Sequence, residues 1–199
     1  VLGGAEHLLA MLGVSPALVV CDRDAHNPVA RLAREFADQC GVPLMTVQHH
    51  HAHVAAVLAE HHHTAPAYTL ALDGYGLGDD DTAWGGELLR VDGAAYARLG
   101  HLAPLHLLTG DHESGQPWRL AAAILYALGR GDEIAQRFAD QPESAGLAER
   151  LAVAGNTETS TSMGRLLDAA AALLGIFATF STLINRDGTA VAAEMRALH

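Results

Sequence analysis

Between residues 16 and 76, short apolar runs alternate with helix-length segments, and this alternation constrains the fold more than any other feature. PALVVCD (16–22) is a brief apolar run that ends in a carboxylate, as a buried strand would. NPVARLAREFADQCG (27–41) reads as a helix, with Asn27 able to cap it, Pro28 suited to its first turn and Gly41 suited to the position just past its end. VPLMTVQ (42–48) is a second strand and HHHAHVAAVLAEH (49–61) a second helix, with Val54, Val57 and Leu58 on one stripe. AYTLALDGYG (67–76) is a third strand, running into glycines. Strands alternating with helices predict α/β architecture with parallel pairing. A hairpin is expected around Asp92–Gly93. After Gly110 the pattern becomes helical and alanine-rich, in PWRLAAAILYALG, DEIAQRFADQ and SMGRLLDAAAALLGI. The expected organisation is an α/β lobe over residues 1–108 followed by a mainly helical region over 109–199.

Composition narrows the chemistry. Half of the 199 residues are hydrophobic, enough for a full core. All 12 basic residues are Arg, so no lysine exists to act as a Walker-type phosphate ligand or a Schiff base. Phosphate handling would have to use backbone N–H groups, Arg, helix N-termini or a metal. A net charge of −11 disfavours a broad nucleic-acid-binding face. Two cysteines, Cys21 and Cys40, form neither a disulfide framework nor a zinc finger and fit a reducing, cytoplasmic setting.

Seven of the 13 histidines fall between residues 46 and 63. His49 and His53 are four apart and share a helix face, so both imidazoles can reach one ion. The strand before them places them at a carboxyl end, where α/β sites gather. His50 and His51 point elsewhere, to substrate or to solvent. His61, His62 and His63 close the helix, where cationic imidazole suits the negative end of the dipole.

LALDGYGLGDDDTAWGGELL (70–89) delivers Asp73 at the end of a strand, then Gly74, Gly76 and Gly78 at spacing two, and then Trp84-Gly85-Gly86-Glu87. The glycines can bring backbone amides close to a phosphate, and Asp73 can be a third, oxygen ligand for the histidines' metal. The plain alternative is a glycine-rich hairpin with an acidic tip. In TSTSMGRLLDAAAALLG (159–175), Ser and Thr precede a helix, and Arg165 and Asp168 share a face near its start. Asp168 can meet a nucleotide's ribose or base and Arg165 an anion; alternatively the two form an ion pair on a capped helix.

In that order, VQHHHAHVAAVLAEH, LDGYGLGDDDTAWGGELL, GDHESGQPWRLA and SMGRLLDAAAALLGI closely resemble the HypF family of hydrogenase maturation carbamoyltransferases. The resemblance implies the family's carbamoyl-transfer domain, an α/β fold of the ASKHA (actin-like ATPase) type, here a fragment with its second lobe incomplete. It implies transfer of a carbamoyl group, made from carbamoyl phosphate and ATP as carbamoyl-AMP, to the C-terminal cysteine of a HypE-type partner. That group becomes the cyanide ligand of the nickel–iron site.

The family's metal-binding positions fall on His49, His53 and Asp73, with zinc or iron suited to such a set. Its phosphate region falls on Gly74, Gly76, Gly78, Gly85, Gly86 and Glu87, and its nucleotide-contacting aspartate on Asp168, beside Arg165. Pro117-Trp118-Arg119 also matches. The chain departs from the family where Asp81 replaces a usual Gly, where Thr109-Gly110 replaces Gly-Gly, and in the irregular DRDAHNP after the first strand. Two other readings stand beside this one. In the first the fold is kept and the acceptor becomes a small-molecule hydroxyl or a tRNA adenosine. In the second the chain is a truncated, non-catalytic module that binds a metal or a partner.

Overall fold

The computed structural model describes residues 2–108, 116–153 and 157–175. The predicted alternation is present. Strand β1 (Val19–Asp22) leads to helix α2 (Pro28–Cys40), strand β2 (Leu44–Val47), helix α3 (His49–Glu60) and strand β3 (Ala67–Leu77), after an N-terminal helix α1 (Leu2–Leu12) that the sequence reading did not anticipate. α2 forms as its punctuation requires. The Asn27 side chain accepts from the Val29 N–H, Pro28 opens the first turn, and Gly41 closes the helix in the left-handed region at φ 65°.

β1 and β2 pair in parallel as a separate two-stranded sheet, with Asp22 opposite Val47. β3 does not join them. It pairs antiparallel with β4 (Ala83–Asp92), and β4 pairs antiparallel with β5 (Ala95–His101) through the turn at Asp92–Gly93. β6 (Leu105–Leu108) and β7 (Thr157–Ser160) extend this sheet, β7 meeting β4 in parallel at Ala83 and Ser160. The larger sheet is therefore mainly antiparallel, and the expected parallel pairing is confined to β1–β2 and one contact of β4. β7 also carries the sheet past position 108, into the stretch read as helical. Its sequence, TETS, has no apolar pattern; the antiparallel ladder to β6 makes it a strand.

The main core lies under α4 (Pro117–Ala127) and α7 (Met163–Leu173), which pack on each other. Ala121, Ala122 and Ala169 are fully buried there, so small side chains let the two helices approach closely. Leu107, Leu120, Leu125, Ile134 and Leu147 fill the remainder. Ile134 belongs to the short helix α5 (Ile134–Arg137), inside the stretch DEIAQRFADQ expected to be helical, and Leu147 belongs to α6 (Leu147–Ala152), which has no counterpart among the expected helices. A smaller cluster of Val54, Ala71, Trp84, Leu89 and Val91 holds α3 against β3 and β4. No helix among the described residues is long and apolar enough to cross a membrane. Thr109-Gly110 and the chain after Gly175 lie outside the described residues.

Candidate metal and nucleotide site

α3 begins directly after β2, capped by Gln48, whose side-chain oxygen accepts from the His51 N–H at 2.8 Å. Gln48 is buried, and its amide nitrogen reaches the Leu77 carbonyl at 3.3 Å and His50 Nδ1 at 3.2 Å. The first turn of α3 is thus locked to the end of β3. His49 and His53 then project from one face, with Nε2 atoms 3.2 Å apart.

Asp73 meets them from β3. Between Leu72 and Gly76 the β3–β4 register breaks: Leu72 opposes Gly86 and Gly76 opposes Trp84, so three residues of β3 face the single residue Gly85. Such a bulge re-aims a side chain. Here Asp73 Oδ2 lies 2.9 Å from His49 Nε2 and 3.5 Å from His53 Nε2, while Asp73 Oδ1 accepts from the Gly74 N–H at 2.6 Å. The three ligand atoms, 2.9–3.5 Å apart, fit around one ion at bond lengths of about 2.0–2.2 Å. Clefts of about 290 Å³ and 350 Å³ adjoin the group. The first runs between α3 and β3 past Val54 and Leu70; the second is lined by Val20, Asp22 and Val47.

The electrostatics match a cation-binding set. The hydrogen bond to Asp73 raises the His49 pKa to about 9, against the opposing effect of burial and with the help of Asp22. Asp73 is held below the usual carboxylate range by the His49 hydrogen bond, burial opposing and the Gly74 N–H assisting. A proton on His49 occupies the place that a metal would take. His50, by contrast, is fully buried beside Trp84, their ring centroids 6.0 Å apart, and burial lowers its pKa. Gln48 donates to its Nδ1, so the ring carries its proton on Nε2, which finds no partner among the described residues. His51 stacks on Tyr96 at 4.7 Å.

The glycine-rich stretch is closely packed. A Cβ at Gly76 would stand 2.6 Å from His50 Cε1 and 2.7 Å from His49; one at Gly85 would stand 2.6 Å from the Asp73 carbonyl oxygen, because the bulge fills that space. Gly78 and Gly86 are closed off by Trp84 and Leu102. Gly74 alone of the five has nothing within 4 Å. Glu87, read from sequence beside the phosphate glycines, is fully buried. It accepts from the Gly85 and Gly86 N–H groups at 3.0 and 3.1 Å, from Thr161 Oγ1, and from Arg98 Nε at 2.7 Å. Burial pushes the Glu87 carboxyl up, but these donors outweigh it and hold it below its ordinary value. In this structure the amides of Gly85 and Gly86 therefore serve an internal carboxylate.

α7 closes the site. Ser162 caps it, its Oγ accepting from the Arg165 N–H at 3.0 Å and donating to the Gly74 carbonyl. Gly164 packs on Gly74, where a Cβ would come 2.9 Å from the Gly74 Cα. The helix start thus lies against the residue that follows Asp73. Asp168 is buried one turn further on, 3.5 Å from Arg165 Nη1, so the pair is not a surface ion pair. The structure brings His49, His53, Asp73, Gly74 and the N-terminus of α7 together. It adds Asp22, whose Oδ2 lies 2.6 Å from His49 Nδ1. The signal for Asp22 in the sequence was only a carboxylate at the end of an apolar run.

With this geometry in hand, the comparisons define the class. Residues 2–60 match the family described as the HypF Kae1-like domain, and residues 69–189 match the carbamoyltransferase Kae1-like domain, second subdomain. The chain belongs to the HypF carbamoyltransferase family and has its ASKHA-type α/β fold. Carbamoyltransferase HypF2 of Cupriavidus necator is 55% identical over 85% of this chain, and carbamoyltransferase HypF of Rhizobium leguminosarum bv. viciae is 40% identical over 85%. The chain spans about a fifth of the length of each, 21% and 22%. A crystal structure of full-length HypF in the phosphate- and nucleotide-bound form superposes with a TM-score of 0.71 at 29% identity, over 88% of this chain and 23% of that one. The structure of T. kodakarensis HypF gives 0.67 at 32% identity, over 78% and 22%.

Proposed function

We propose that this chain is the metal- and nucleotide-bearing part of an enzyme that transfers a carbamoyl group through carbamoyl-AMP, with carbamoyl phosphate as the source and ATP as the activating nucleotide. The acceptor in this reading is the C-terminal cysteine of a HypE-type partner, and the product serves cyanide-ligand synthesis in [NiFe]-hydrogenase maturation. The observation that carries the reading is the convergence of the His49–His53–Asp73 set with Gly74 and the start of α7. Membership of the HypF family supports the choice of group transferred.

A divalent ion, zinc or iron, held by His49, His53 and Asp73 would act as Lewis acid and template for the donor's oxygens. The chain's own residues do the remaining work. Gly74 leaves open the space next to the metal ligands, where phosphate oxygens can approach backbone. Gly76, Gly78, Gly85, Gly86 and Glu87 hold the shape of that wall. Asp168 accepts hydrogen bonds from nucleotide hydroxyls, and Arg165 meets an anion. Cys21 and Cys40 are both free, and the attacking thiolate is assigned to the partner. Titrating ATP calorimetrically into the zinc-loaded chain, with and without chelator, tests this. Binding that requires the metal is expected; equal binding in both arms would contradict the arrangement.

A further inference from the structure

The two ring nitrogens of His49 face two different carboxylates. Nε2 points to Asp73 and His53, and Nδ1 points to Asp22 Oδ2 at 2.6 Å. An imidazole's nitrogens diverge, so Asp22 cannot reach an ion bound at Nε2. It is itself fixed at the end of β1, where its Oδ1 accepts from the Asp24 N–H at 3.0 Å. β1 and β2 pair in register, Asp22 opposite Val47, two residues before His49. The small parallel sheet thus sets the distance between the carboxylate and the ring.

We propose that Asp22 is a positioning residue for the metal centre: it accepts the Nδ1–H of His49, fixes that tautomer and ring plane, and so presents the Nε2 lone pair to the cation beside His53 and Asp73. A carboxylate behind a ligating imidazole also raises its donor strength, and loss of such a partner costs about 10–100-fold in metal affinity. This inference rests on the reading of His49, His53 and Asp73 as metal ligands. It gives the irregular DRDAHNP stretch a role: its first residue supports the site from behind, and the rest turns away into α2.

The test uses the full chain and Zn²⁺ alone, with chelator competition for affinity and elemental analysis for stoichiometry. Asp22→Asn is isosteric and should preserve the fold, checked by circular dichroism. It should bind zinc at least about tenfold more weakly than wild type, still saturating at one ion. A second readout is ¹⁵N NMR of the zinc-loaded chain. The wild type should show a His49 Nδ1–H slow to exchange with solvent, and in the variant, whose neutral amide oxygen is the weaker acceptor, that proton should exchange faster. His49→Ala serves as the reference and should abolish tight binding. If His49→Ala loses zinc while Asp22→Asn binds within twofold of wild type with its Nδ1–H unchanged, Asp22 is not a positioning residue and the ligand set stands. If His49→Ala keeps one tightly bound zinc, the ligand set itself fails. Should Asp22→Asn not fold, Asp22→Glu carries the test: its longer carboxylate displaces the ring, and unchanged affinity overturns the proposal.

Discussion

Around α4 and α7 the buried side chains are mostly apolar: Leu120, Ala121, Leu125, Ile134, Leu147 and Ala169 leave little surface to water, and Asp168 is the polar exception on α7 itself. Around α3 the buried side chains include Gln48 and His50, Glu87 lies buried close by, and Val20, Met45 and Val57 stay about half exposed. The first region is held by non-directional burial, worth roughly 25 cal/mol per Å² of apolar surface. The second is held by directed contacts: Gln48 to Leu77 and His51, Asp22 and Asp73 to His49, Glu87 to two amides, Thr161 and Arg98. Burial alone would not keep three ligand atoms within 3.5 Å of one another. Directed contacts do, and they also leave the site open to control by protons and ions.

Glu87 joins the two regions, and changing it should give the largest effect. Glu87→Ala leaves two buried amides and the Thr161 hydroxyl without their acceptor and removes the buried one of Arg98's two carboxylate partners, Asp80 remaining at 3.0 Å; this costs about 3–5 kcal/mol, read by urea denaturation. A loss below about 1 kcal/mol would show that the junction does not depend on this network.

Ile134→Ala, on the apolar side, should cost roughly 2–5 kcal/mol through lost burial and the cavity left behind. Zinc affinity should stay at the wild-type value. A parallel fall in zinc affinity would mean that the two regions are not separable in this way.

The directed side should respond to pH and the apolar side should not. In the metal-free chain His49 titrates at about 9, against 6.5 when unfolded. Its contribution is therefore complete below pH 6.5 and is lost as pH rises through about 9. Asp22 and Asp73 are shifted down, so their contributions are present above about pH 3.8 and are lost as pH falls through their lower folded values. Burial raises the Asp22 pKa, but the Asp24 N–H and His49 outweigh it. The metal-free melting temperature should be highest between those limits and fall towards pH 9. Bound zinc should abolish the alkaline fall, because the ion replaces the proton. A metal-free profile flat from pH 6 to 9 would contradict the His49 contacts.

Asp168→Ala should have the smallest effect among these, lowering ATP affinity of the metal-loaded chain about tenfold, roughly 1.4 kcal/mol. An affinity within twofold of wild type would leave Asp168 with a structural role alone, as a buried partner of Arg165.

Local signals made much of this legible in the sequence. Asn27, Pro28 and Gly41 delimit α2 because capping is settled within a few residues. His49, His53 and Asp73 come together because helix spacing and a strand end lie on either side of one connection. Other features were not legible because their causes are distant in the chain. β7 is a strand through its pairing with β6, about 50 residues earlier in the chain. Glu87 looks like a phosphate-loop acid until Arg98 and Thr161, 11 and 74 residues away, are seen to enclose it. His50 cannot be told from its neighbours by residue type; the rotation of α3 buries it. The glycines at 76 and 85 read as phosphate contacts, whereas the bulge at Asp73 and the His49 and His50 rings explain why no side chain fits there.

The most direct measurement of the central claim is the zinc content of the His49→Ala/His53→Ala double variant after gel filtration, beside the wild type. The wild type should hold one ion per chain, and the variant should hold none while keeping its circular dichroism spectrum and its apolar core around α4 and α7. One ion per chain in the folded variant would contradict the assignment of the metal to His49, His53 and Asp73.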